Sequence, residues 1–92
     1  MATYLMFGKY SPEALKGISG KRTNDAKALI KKHGGELKAA YAVLGGIDLV
    51  MIVELPDTAR AMAASAALAR LTGIGFSTAP AVTVDEFDKL AE

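Results

Sequence analysis

Apolar and polar positions alternate most clearly from Ile47 to Leu55. There Ile47, Leu49, Met51, Val53 and Leu55 stand on one side, and Asp48, Val50, Ile52 and Glu54 on the other. A period of two belongs to a strand. Glu36 to Leu44 repeats it, with Leu37, Ala39, Tyr41 and Val43 on one face. Gly45-Gly46 between the two runs predicts a tight antiparallel hairpin, because such turns need positive φ. The first strand is expected over Thr3 to Tyr10, with Leu5 and Phe7 pointing one way and Tyr4 and Met6 the other. Both of its faces are apolar, so both call for cover. Ile74 to Val82 reads as a fourth strand, with Ile74, Phe76, Thr78 and Val82 on one face. Pro80 inside it argues for a bend or an edge position.

Between these strands the period changes to three and four. Ser11-Pro12-Glu13 is a helix start: a capping hydroxyl, a proline at the first helical position, and an acid that favours the dipole. Leu15, Ile18, Arg22, Ala26, Leu29, Ile30 and His33 then form one stripe. Gly17 and Gly20 weaken its first half, so a kink or short break is expected there. Gly34-Gly35 ends the helix. Asp57 caps a second, alanine-rich helix through about Leu71, and Gly73 stops it. Thr83-Val84-Asp85-Glu86 has the form of a capping box for a short terminal helix with Val84, Phe87 and Leu90 on its apolar face.

The order is therefore β-α-β-β-α-β plus a terminal helix. Right-handed crossovers fold that order into an α+β, ferredoxin-like domain: a four-stranded antiparallel sheet with two helices on one face and a short C-terminal helix. The other sheet face is left bare, with Val50, Ile52 and half of the first strand on it. Packing two such faces together is the simplest way to dry them.

Composition narrows the functional classes. Ninety-two residues suit one domain spanning 1–92, and 51% hydrophobic with 23% charged residues is a soluble globular balance. The apolar share is high for so short a chain and points to a partner surface, hence a homo-oligomer, a dimer or larger. Eleven basic and ten acidic residues give a net charge of +1, so no nucleic-acid partner is expected. The basic residues between Lys16 and Lys38 read as a solvated helix face. No cysteine is present, which removes disulfides and thiolate chemistry and suits a reducing cytoplasm. No apolar run is long enough to cross a membrane, and MATYLMFGKY reads as a strand rather than a signal peptide.

At this point the residues match a family. TYLMFGKYS, the helix end KKHGGEL, the block YAVLGGIDLVMIVELPD and the short strand near Gly75 to Thr78 resemble the GYD-domain proteins. These are small bacterial and archaeal domains grouped with the dimeric α+β barrels. The resemblance covers nearly the whole chain. The Gly-Tyr-Asp triplet stands here as Gly46-Ile47-Asp48, so no role for a phenol at that position carries over, while the retained glycine and aspartate suit a structural turn. The resemblance implies the fold and oligomerisation, and no particular activity.

The candidate chemistry is sparse. His33 is the only histidine, and its place beside Gly34 suits a helix cap better than a general base. With no second histidine and no cysteine, no metal site is expected, and nothing in the sequence implies a cofactor. Arg22 sits on an otherwise apolar stripe, where an ion pair with a carboxylate is the first expectation and an anchor for an anionic ligand the second. Asp48 can bond backbone amides at the hairpin or act as a base. Tyr41 offers a phenol on a central strand. Arg22, Tyr41 and Asp48 are thus the candidate small-molecule-binding residues, in a pocket between sheet and helices. Two functions are in view: a small oligomeric domain that binds a small molecule or serves in assembly, and a small cofactor-free enzyme of the monooxygenase or isomerase type.

Overall fold

A computed structural model describes residues Met1–Glu92. The elements are β1 (Ala2–Lys9), α1 (Pro12–Lys16), α2 (Gly20–Lys32), β2 (Glu36–Ala42), β3 (Leu49–Leu55), α3 (Thr58–Thr72), β4 (Gly75–Ala81) and α4 (Val84–Ala91). The strands form one antiparallel sheet in the order β2-β3-β1-β4. This is the ferredoxin-like arrangement that the element order implied. β4 pairs only with β1, so Pro80 sits on an edge, where its missing N–H costs no ladder bond.

The core lies on one face of the sheet, under α2 and α3. Tyr4, Met6, Met51, Val53 and Leu55 meet Ile30 of α2 and Ala61, Ala64 and Leu68 of α3 there. Apolar burial of this kind stabilises by about 25 cal/mol per Å². The register pairs Leu5 with Ile52 and Phe7 with Val50, which puts these four side chains on the opposite face. No helix covers them, and they remain half-buried between neighbouring strands.

The helix ends are local chemistry. Ser11, Ser19, Asp57 and Thr83 each accept a backbone N–H three residues on, at 2.8–3.1 Å. The expected break is real. α1 stops before Gly17, and Ser19 restarts the helix. The break separates Leu15 and Ile18 from the rest of the predicted stripe, and both are exposed. At the other end of α2, the Gly35 N–H bonds Ile30 O and the Gly34 N–H bonds Lys31 O, each at 3.0 Å. These two bonds close the helix with Gly34 at φ +84. Gly35 is needed for a different reason: a Cβ there would collide with the Glu54 carbonyl.

Two expectations change. β2 is not one uninterrupted alternation, since its register jumps between Leu37 and Ala39. This bulge at Lys38 puts Leu37 beside Val53 on the core face and Ala39 and Tyr41 beside Ile52 and Val50 on the bare face. The hairpin is also wider than a two-residue turn. Strand pairing ends at Ala42 and Leu49, and Val43 N–H closes the loop onto Asp48 O at 3.0 Å.

Candidate functional site

Asp48 is held by β1. Its N–H donates to Gly8 O at 2.8 Å, and its carboxylate accepts the Tyr10 N–H at 2.9 Å. Lys9 lies 3.9 Å away on the surface, a spacing that contributes little. The aspartate therefore fastens the end of β1 to the β2–β3 loop.

Arg22 meets no carboxylate, contrary to the ion pair expected of it. Its guanidinium donates to the Ala14 carbonyl, in the last turn of α1, which also accepts the Gly17 N–H at 3.2 Å, and lies over the Tyr10 ring, 5.7 Å from the centroid. The break between α1 and α2 is what brings Arg22 back over α1. His33 caps α2, its Nδ1–H donating to Leu29 O at 2.9 Å. Tyr41 is 60% exposed on the bare face. Arg22 and Asp48 are thus linked through Tyr10, whereas Tyr41 lies across the sheet from Arg22. Only Arg22 lines the cavity between sheet and helices, which it shares with Tyr10, Leu37, Met51 and Phe76 and which measures about 90 Å³. That is room for a few waters.

A larger opening lies elsewhere. An open groove of about 380 Å³ runs between α3 and β4, within the range of small-molecule sites. Its apolar walls are Ala61, Met62, Ala66, Ala69, Phe76 and Pro80, and its polar groups are the hydroxyls of Tyr4, Thr58, Ser65 and Thr78. No charged side chain lines it. The hydroxyls are not equivalent. Ser65 and Thr78 bond each other at 2.6 Å, which ties α3 to β4. Tyr4, only 3% exposed, has Thr58 Oγ1 as its one partner, at 3.4 Å. That is beyond the 2.5–3.0 Å range usual for O–H···O bonds, so the donor is largely unspent. The sequence reading passed over this site because its hydroxyls are scattered over β1, α3 and β4. The one available signal was that polar Ser65 and Thr58 fall on one side of an alanine-rich helix.

Nowhere do three or more His, Asp or Glu side chains come together as a metal site would require. No helix is long and apolar enough to cross a membrane.

The fold and the groove define a small ferredoxin-like α+β domain with an uncharged, hydroxyl-lined opening beside its edge strand. Residues 4–91 match the family model described as GYD domain, and the chain belongs to that family. No curated protein matches the sequence. Among solved structures, the chain is similar to the crystal structure of the Mycobacterium tuberculosis leucine response regulatory protein (LrpA). The TM-score is 0.60 at 12% identity, over 90% of this chain and 51% of that one. The chain thus corresponds to about half the length of that protein, and the likeness is one of fold.

Proposed function

We propose that this chain is a homo-oligomeric domain that binds a small, uncharged, largely apolar molecule in the α3–β4 groove. The observation that carries the reading is the Tyr4 hydroxyl, buried in the groove wall with an under-used donor. A ligand carbonyl or hydroxyl placed there would take that donor, while a ring slots among Met62, Phe76 and Pro80. The absence of charge from the lining selects against ionic ligands. The bare sheet face supports self-association, because Leu5, Phe7, Val50 and Ile52 form a continuous apolar surface without a helix over it.

Binding is favoured over cofactor-free monooxygenase or isomerase chemistry. The groove offers hydroxyls but no carboxylate or imidazole that could move a proton. Arg22, Tyr41 and Asp48 do not converge on one cavity.

The test is a panel of neutral aromatic ketones and phenols, screened by saturation-transfer NMR against the wild type, Tyr4→Phe and Arg22→Ala. Losing one hydrogen bond should weaken genuine ligands about 2- to 10-fold in Tyr4→Phe. Arg22→Ala should bind them as the wild type does. Equal affinity for wild type and Tyr4→Phe, or no binder in the panel, would count against the groove.

A further inference from the structure

We propose that α4 closes the mouth of the α3–β4 groove of a second copy of this chain. α4 is amphipathic, yet every one of its residues is exposed, including Val84 at 74%, Phe87 at 59% and Leu90 at 75%. Its apolar stripe calls for a surface to dock on, and the described fold leaves all three of these side chains exposed. A hollow lined by Met1, Thr3, Ala81, Val82 and Glu86 separates its first turn from the sheet.

The groove of a second copy fits in length, shape and charge. The helix is about 12 Å long, and the groove follows α3 from Thr58 to Ala69, about 16 Å at helical rise. Met62, 68% exposed, forms an apolar lip, and Ala66 beside it lets a helix approach closely. Beside this lip α3 carries Arg70, one turn after Ala66, and no acid, whereas α4 carries Asp85, Glu86 and Asp88 against one Lys89; Arg60 lies off the groove, against the Gly34 turn. Val84, Phe87 and Leu90 would then cover the apolar lining that stands open in a single chain. The inference uses the groove of the proposed function but does not depend on its ligand.

The chain has no cysteine, so engineered ones report cleanly. Met62→Cys and Phe87→Cys are made separately, mixed without added ligand, oxidised mildly and run on a non-reducing gel. Docking between copies gives a crosslinked heterodimer about tenfold more abundant than a Lys31→Cys plus Phe87→Cys control, because docking raises the effective concentration of the pair. Lys31 is exposed on α2, and none of these substitutions touches the core. A heterodimer no more abundant than the control overturns the inference. So does an intrachain disulfide in monomeric Met62→Cys/Phe87→Cys, which would mean that α4 folds onto its own groove. The ligand screen is independent: crosslinking without binding would sink the proposed function alone, and binding without crosslinking would sink this inference alone.

Discussion

The carboxylate of Asp48 accepts the backbone N–H of Tyr10 at 2.9 Å, joining the β2–β3 loop to the residue that follows β1. Asp48 therefore bridges its two neighbours: its amide and side chain hold β1, while its carbonyl accepts the Val43 N–H across the hairpin. Asp48→Ala removes a charge-assisted acceptor and orphans a part-buried donor, a loss of about 1–3 kcal/mol. Asp48→Asn keeps an acceptor oxygen and should lose about half as much. Urea unfolding of the two variants checks this ordering, and equal losses would contradict it.

Tyr10 also carries Arg22. The guanidinium lies over its ring and holds the carbonyl of Ala14, bracing the break between α1 and α2. Arg22→Ala should cost about 1–2 kcal/mol, and Arg22→Lys should recover only part of it, since an ammonium lacks the planar fork. A double-mutant cycle with Tyr10→Leu should give a coupling of about 0.5–1 kcal/mol. Zero coupling would mean that the ring is only a neighbour.

What could be read beforehand follows from how local each cause is. The alternation of β3 was legible because one residue in two is buried: Met51, Val53 and Leu55 against Val50 and Ile52. The caps at Ser11, Asp57 and Thr83 and the break at Gly17–Gly20 depend on residues within one turn, and they too were legible. The facing of β1 was not, because Tyr4 and Met6 are no more apolar than Leu5 and Phe7. Only the helices decide which pair is buried. Nor was the side of Tyr41, since the bulge at Lys38 that moves it leaves no mark in a run of small residues. Arg22's partners, an aromatic ring and a carbonyl, depend on how α1 and α2 are offset. The groove is the extreme case, assembled from residues 4 to 80.

The turn after α2 offers a sharper test. At Gly34 the backbone is left-handed, and Gly34→Ala should cost about 1–2 kcal/mol. At Gly35 the obstacle is the Glu54 carbonyl of the neighbouring strand, which cannot move without disturbing β3. Gly35→Ala should therefore cost about 3 kcal/mol or more, among the larger effects a single methyl can have. Chemical denaturation of both variants should rank Gly35→Ala clearly lower. The reverse order would mean that the strand yields more easily than the left-handed turn.

The last prediction concerns Leu5 and Ile52, which face each other across β1 and β3 on the uncovered side of the sheet. If that face meets another copy, a charge placed there must be desolvated on association, which costs several kcal/mol unless it is paired. Leu5→Lys and Ile52→Lys should each shift the protein towards monomer in sedimentation velocity. Because both side chains are only half-buried in the single chain, folding should survive, with far-UV circular dichroism unchanged. Leu15→Lys is the control: Leu15 is apolar and exposed but lies on α1, away from the sheet face, so its removal should leave the mass distribution alone. Unchanged assembly in both sheet variants would place the contact elsewhere. A shift in all three would mean that lost hydrophobicity in general, rather than this face, controls association.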